Sequence, residues 1–479
     1  MFKLFAKISL FSTFFSLPFT GISVGVESSI QSLDFSGRGP LFLSDNQIQE
    51  DLHQAERLLQ DNYVRYPLLE KAGVSWQSAF KKLADQMLTK TNPTLTHHFQ
   101  KQLIKALEFT EDSNLQADLF LNKRHYVQRI EPKVAFYSGI RMAQQQERFR
   151  VLPSLKQPKN IVNHWFIDCK TTQEVFFPVL PERQSELLFM LGQQANHQLQ
   201  SLDCTFENDS AVKQQILLPL IMSEAELNRP EMPVYEYKVG RTPYVRWYRD
   251  GKPEEIAVKQ FQKLARKLQT TRTLIIDVRG NRNGSFAFIE KWLKEFTSNH
   301  WKNVIVRERQ TLPVLKGLLN RVQWNLHHST PRLLIGQHQL EQKRMQLQAL
   351  INHFRDKGID EKWVETKFIF NGQNNAPKWN TRLIVIANQH CGNGCQFLAA
   401  LTRQIPNGIL IGTNTGPFPK NISGPIYQLK HSSIMLSFSH RMHLDHRGKP
   451  VSPSGYLPDY WLFPPMGLTD ILRFASKSN

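Results

Sequence analysis

Two polar turns containing glycine hold most of the side chains in this sequence that could do chemistry. The first is Asp277-Val278-Arg279-Gly280-Asn281-Arg282-Asn283-Gly284, after the aliphatic run Leu274-Ile275-Ile276. The second is Asn388-Gln389-His390-Cys391-Gly392-Asn393-Gly394-Cys395-Gln396, after Leu383-Ile384-Val385-Ile386. Apolar residues at helical spacing follow each, so each reads as a strand turning into a helix. The first amides of a helix have no intrahelical acceptors, and the positive end of the helix dipole stands behind them. An oxyanion or a carboxylate is stabilised at such a junction. Taken singly, either stretch is equally well a plain polar turn after a strand.

Strands alternating with helices must position these turns, which implies an α/β layer structure for the carboxyl-terminal half. Tyr244 to Tyr248 is a strand, and Ile256, Phe261, Leu264 and Leu268 recur at helical spacing. The strand Leu274–Ile276 then leads to a helix marked by Phe288, Ile289, Trp292 and Phe296, and to the strand Val304-Ile305-Val306. The unit repeats from Leu383 through a helix near Gly394 to Arg403 and the strand Ile409-Leu410-Ile411. Between the two units, residues 314–378 form an insertion rich in Gln, Lys and His, with a helix predicted through Leu340, Met345, Leu347 and Leu350. Long insertions of this kind are tolerated as surface excursions, and a lid is the other reading.

Upstream, Ser44 and Gln47 have capping-box spacing ahead of Ile48, Leu52, Ala55, Leu58 and Leu59. Two further helical stretches carry Phe80, Leu83, Met87 and Leu88, then Phe99, Leu103, Ile104 and Leu107, so residues 26–117 read as a helical domain. Residues 118–207 are mixed and β-containing, with runs such as Trp165-Phe166-Ile167 and Val175 to Val179. No glycine-rich loop that would bind a peptide carboxylate is visible there.

Lys3 and Lys7 precede an apolar run from Ile8 to Phe19, with Ser23 and Gly25 placed for cleavage, so residues 1–25 read as an export signal. A membrane anchor takes about 20 consecutive apolar residues, and no later stretch has them. The expected location is periplasmic or secreted. Disulfides are allowed there, and the four cysteines fall into two local pairs, Cys169 with Cys204 and Cys391 with Cys395. Zinc is the rival reading, but no ligand spacing supports it.

With 479 residues and 41% hydrophobic composition, the chain can fill two or three domains. Its formal charge of +19 comes from bases spread along the chain, which indicates a cationic surface that meets anionic surfaces more readily than nucleic acid. His440, His443 and His446 step by three residues near Asp445, a spacing that sends side chains to opposite faces of a strand. They read as surface histidines. No metal and no cofactor is expected.

The ordered motifs of the carboxyl-terminal half resemble those of the tail-specific, or carboxyl-terminal processing, serine peptidase family. The first turn is similar to the family's strand ending in Asp-x-Arg-x-Asn and glycines, and Asn388 to Ala400 is similar to its nucleophile segment. Gly412-Thr413-Asn414-Thr415-Gly416 lies where the family has a Gly-Glu-x-Thr turn, and Gly455-Tyr456-Leu457-Pro458-Asp459 resembles its Gly-Val-x-Pro-Asp motif. The resemblance spans residues 235–465, about half the chain. It implies a crotonase-like ββα superhelical peptidase domain of the tricorn-core type and an extended or unfolded polypeptide as partner. It further implies an oxyanion held by the Gly394 amide and a glycine amide of the first turn, for which Gly284 is the candidate. Asn281, Asn283 and Gly392 are the implied substrate-binding positions. Asp112-Ser113-Asn114 is similar in spacing to a family Asp-x-His.

The same resemblance marks three departures. Counting back from Gln396, where glutamate is usual, the nucleophile position holds Asn393, whose carboxamide has no ionisable hydroxyl. The base of the lysine-dependent branch falls at Phe418, with Lys420 two residues on. The base of the tricorn-like branch falls at Arg246, and a guanidinium stays protonated. Arg282 and Asn283 stand where glycines are expected. Cys391 and Cys395 flank Asn393: a thiol with His390 as base is one reading, and a bridge bracing the loop, as in relatives, is the other. The sequence therefore predicts a serine-peptidase homologue weak or inactive in acyl chemistry, with a non-catalytic peptide-binding protein of cationic surface as the alternative.

Overall fold

The computed structural model describes residues 33–476 except 34–38, 89–92, 122–123, 132, 154–158, 171–173, 182–185, 196–200, 223–233, 240–241, 248–258, 260–262, 282–285, 299, 329–333, 372–377, 379, 393, 406, 417–423 and 464–465. The export signal at 1–25 lies outside the described residues, as do Asn283, Gly284, Asn393 and Lys420, together with Arg282 and Phe418.

The α/β architecture expected from the sequence is the one observed. Four strands, Thr242–Trp247, Thr273–Asp277, Arg382–Ala387 and Ile409–Gly412, run parallel side by side. Parallel sheets need cover on both faces, which is why Leu274–Ile276 and Leu383–Ala387 read as unbroken apolar runs. One face packs on the helices Phe286–Phe296 and Gly394–Thr402 through Trp292, Phe296, Leu398 and Leu401. The other face packs Ile275, Ile384 and Ile386 against Ile471 and Ala475 of the helix Leu468–Ser476.

The strand Tyr460–Trp461 continues this sheet and joins it, through Trp461 opposite Val179, to an antiparallel meander built by residues 134–219. Phe177 lies 4.6 Å from Trp461 and 5.3 Å from Phe463, so an aromatic cluster covers the narrow join. Within the meander Cys169 and Cys204 stand directly opposite on paired strands and are bridged.

The amino-terminal helix Asp45–Asn62 starts at the expected capping box: the Gln47 amide donates to Ser44 Oγ at 3.4 Å, and the Ser44 amide to Gln47 Oε1 at 2.9 Å. Its apolar face and the helices Trp76–Leu88 and Thr96–Ala106 share one core with Tyr427, Leu429, Ile434, Leu436 and Phe438. Strand Gln116–Leu121 pairs with Met435–Ser437. Asp51, fully buried, accepts the amides of His431 and Ser432 at 2.9 and 2.8 Å and so caps the turn between the strands that complete this core. The helical region is thus finished by residues from the far end of the chain.

The stretch between the two α/β units has more structure than the single predicted helix. Helices Leu312–His328 and Leu334–Asp356 pack on each other through Leu315, Leu318, Leu347 and Ile351, while Met345 is exposed. Strand Glu361–Asn371 then pairs with His300–Thr311, which also pairs with Arg441–Leu444. Arg321 ties the first of these helices to the body, donating to Gly424 O at 3.0 Å and to Ser437 Oγ at 2.9 Å. Burial lowers its pKa to about 10.

His440 departs from the surface reading. It is 3% exposed, because the strand it precedes lies between the His300–Thr311 strand and Val64 of the amino-terminal region. Burial, with Arg441 nearby, lowers its pKa to about 4, and burial with Arg65 lowers that of His443 to about 3. Both folded values lie below the ordinary value near 6.5, so the unfolded chain takes up these protons first. Stability is then greatest above about pH 6.5 and falls as pH drops towards the folded values. The urea midpoint is expected to be lower at about pH 5 than at about pH 7, and His440→Asn to shrink that difference; an unchanged difference in the variant would rule His440 out as the responsive group.

Candidate functional site

Asp277 closes its strand fully buried, and three neighbouring groups make a carboxylate possible there. Tyr244 OH donates to Oδ2 at 2.6 Å, Arg279 Nη2 to the same oxygen at 2.8 Å, and Arg279 Nε to Oδ1 at 3.0 Å. Burial pushes the Asp277 pKa up, but the Arg279 guanidinium and the Tyr244 hydroxyl outweigh it and hold the carboxyl below its usual range. Burial and the neighbouring carboxylate push the Tyr244 pKa up. This knot fixes the backbone as it leaves the sheet, and the turn that follows holds Gly280 and Asn281.

The second junction is tied to the first through one side chain. Asn388 Oδ1 accepts the amides of Gly280 at 3.0 Å and His390 at 3.2 Å. The Gly392 amide donates to Asn281 O at 3.0 Å, and the helix opens at Gly394, whose amide, the first of the helix, has no intrahelical acceptor. Cys391 and Cys395 are bridged across position 393, and neither is exposed. The bracing-disulfide reading therefore holds in this structure, and no free cysteine occurs among the described residues.

The other two motifs close around the same turn. The Gly416 amide donates to Cys391 O at 2.9 Å, so close that a Cβ on Gly416 would stand 2.6 Å from Gln389 O. Gly455, at φ +90°, lies against Gly416 O, while the Thr415 amide donates to Tyr456 O at 3.0 Å and the Tyr456 amide to Thr415 Oγ1 at 2.8 Å. Gln396 Nε2 donates to Gly416 O, a bond that a carboxylate at this position could make only when protonated.

Of the residues singled out from sequence, Asn281, Gly392 and Gly394 meet at the carboxyl ends of these parallel strands, and Arg246 stands in register with Asp277 on the neighbouring strand. Asp112 is elsewhere: it accepts the Tyr63 hydroxyl at 3.1 Å and the Asn114 amide at 3.0 Å, holding the amino-terminal core. Sequence reasoning gave no part to Tyr244 or to the Asn388 side chain. A lone asparagine immediately after a buried strand was the available signal for the latter.

Asn281 is unusual among these groups. It is fully buried, yet neither its Nδ2 nor its Oδ1 has a hydrogen-bond partner among the described residues. Such a group costs about 1–3 kcal/mol and is a natural candidate for contact with a ligand. The arrangement can stabilise negative charge at the helix start and pair an amide with a peptide group.

Asp277→Asn leaves the Arg279 side chain, 17% exposed, without its counter-ion. The expected cost is about 3–5 kcal/mol in chemical denaturation; a loss well under that range would mean that the pair does not anchor the turn.

Residues 244–462 match the profile of peptidase family S41. No curated protein matches the chain. Among solved structures, mature CPAF is 14% identical, with 91% of this chain and 95% of that chain covered and a TM-score of 0.43. The photosystem II D1 C-terminal processing protease is 12% identical, with 90% and 96% covered and a TM-score of 0.35. The tricorn protease is 11% identical, with 87% and 34% covered and a TM-score of 0.28.

Proposed function

We propose, for a chain whose residues 244–462 are a peptidase family S41 domain, that it is an exported homologue that holds extended polypeptide at the junction of its two turns with little or no acyl chemistry. The observation that carries this reading is the closed Cys391–Cys395 bridge around position 393. Asparagine there offers no hydroxyl for an acyl-enzyme. A thiolate is the substitute nucleophile nearest at hand, and a disulfide sulfur is not one. Arg246, in register with Asp277, is a fixed cation where the tricorn-like branch would need a proton acceptor. What the site retains is the helix start at Gly394 and the carboxamide of Asn281, unpartnered among the described residues, which suit a peptide carbonyl or carboxylate.

The test is hydrolysis and binding of an unfolded polypeptide by the chain without residues 1–25, beside Asn393→Ser. Binding without hydrolysis is the expected result in the wild type and, with no proton acceptor at position 246, in the serine variant as well. Wild-type turnover overturns the reading, as does failure to bind. Asn281→Ala is expected to leave the thermal midpoint unchanged or higher, since it removes an unpaired buried group, and to weaken polypeptide binding about five- to tenfold. Equal affinity would remove Asn281 from the site.

A further inference from the structure

A short ribbon at the amino-terminal end of the fold turns its apolar side outwards. Strand Phe42–Leu43 pairs with Thr94–Leu95, Phe42 opposite Leu95 and Leu43 opposite Thr94. Leu43 and Thr94 face the core, at 0% and 7% exposure, while Phe42 and Leu95 face outwards at 47% and 38%. Leu41, next in the chain, is 43% exposed, and its carbonyl accepts the Thr96 amide at 3.0 Å, which holds the three apolar side chains at one corner. Single exposed apolar residues are ordinary, but a cross-strand pair presented outwards with a third beside it is a patch.

The helix Thr96–Ala106 leaves directly from this corner. Its sequence, THHFQKQLIKA, contains no acid, and the next acidic residue, Glu108, lies beyond its end. Thr96, Phe99, Gln100, Leu103 and Ile104 are buried, so the helix is set with His97, Lys101 and Lys105 outwards, four residues apart on one stripe. At 1.5 Å per residue that stripe is about 12 Å long. Tyr126, on the edge strand Arg124–Arg129, stacks on His97 with ring centroids 6.0 Å apart, and Arg124 of that strand is exposed. Asp45, the nearest acid along the ribbon's own chain, opens the following helix with one carboxylate oxygen buried.

An apolar corner continuous with an acid-free cationic stripe and an aromatic ring is the composition of an interfacial membrane contact: the apolar side chains enter the boundary of the acyl chains while the lysines meet the headgroups. Nucleic acid would satisfy the stripe and leave Phe42 and Leu95 in water. We propose that this face, built on Leu41, Phe42, Leu95, His97, Lys101 and Lys105, docks the folded protein peripherally on an anionic phospholipid surface. None of these residues belongs to the strand ends that form the peptide site.

Co-sedimentation with vesicles tests this directly, using the chain without residues 1–25 so that the apolar leader does not contribute. Binding is expected to vesicles of equal parts phosphatidylcholine and phosphatidylglycerol, to be weak with phosphatidylcholine alone, and to fall as salt rises. Lys101→Ala with Lys105→Ala is expected to weaken it about 25-fold, at about fivefold for each lysine near the surface. Phe42→Ser with Leu95→Ser is expected to abolish it, the thermal midpoint of each variant and its polypeptide binding reporting that the fold is intact. Equal binding to both vesicle types, no binding to either, or unchanged binding in the lysine variant overturns the proposal. If the serine variant converts a dimer to a monomer in gel filtration, the corner is an interface between copies and the proposal likewise fails.

Discussion

A single acceptor atom, Asn388 Oδ1, takes amides from both turns at the carboxyl ends of the parallel strands, Gly280 from one and His390 from its own. The strands ending at Asp277 and Ala387 are parallel neighbours, so their chains leave the sheet side by side and must then diverge into separate helices. The carboxamide holds them together as they do so, helped by the Val278 amide on Ile386 O and the Gly392 amide on Asn281 O. The later segments then close on the second turn, Gly416 against Cys391 and Gly455 against Gly416, at distances that only glycine permits. Four segments spread over nearly two hundred residues become one polar unit, and a shift in any of them is felt by the rest.

Within that unit, satisfied and unsatisfied groups are sharply divided. Asp277, Tyr244 and Arg279 use one another fully, as a buried charged network must if it is not to destabilise the fold. Among the described residues, Asn281, four residues past Asp277, has no partner for either amide atom, and Gln396 has none for its Oε1 after donating to Gly416. A rigid, bonded base thus carries a few buried polar atoms that find no partner among the described residues, where buried polar groups are ordinarily paired. The Cys391–Cys395 bridge adds to the rigidity while removing the thiol chemistry that the spacing of these residues would otherwise offer.

The remainder of the chain is organised by shared cores. Strands within residues 426–437 complete the core of the amino-terminal helices and are capped by Asp51, while Tyr460–Trp461 joins the meander to the parallel sheet. Residues late in the sequence therefore serve as mortar between regions that precede them. The long stretch between the two α/β units is likewise anchored, Arg321 reaching the same strands from its helix.

What the sequence determined by itself is local. The capping box at Ser44, the helices along Ile48 to Leu59 and Phe99 to Ile104, and the two aliphatic strands before the turns follow from short-range periodicity and side-chain chemistry that any neighbouring structure must respect. The order of the four motifs likewise marked residues 235–465, within which the family match at 244–462 falls. Only the tertiary structure decided that Tyr244 and Arg279 neutralise Asp277, that Asn388 clamps both turns, that His440 is buried, and that Met435 to Ser437 pair with Gln116 to Asp118. Each of these depends on which side chains from distant segments meet in a space closed to water. Neither the period of a strand nor the composition of a turn carries that information, because the energy of a buried polar group is set by the partner it finds.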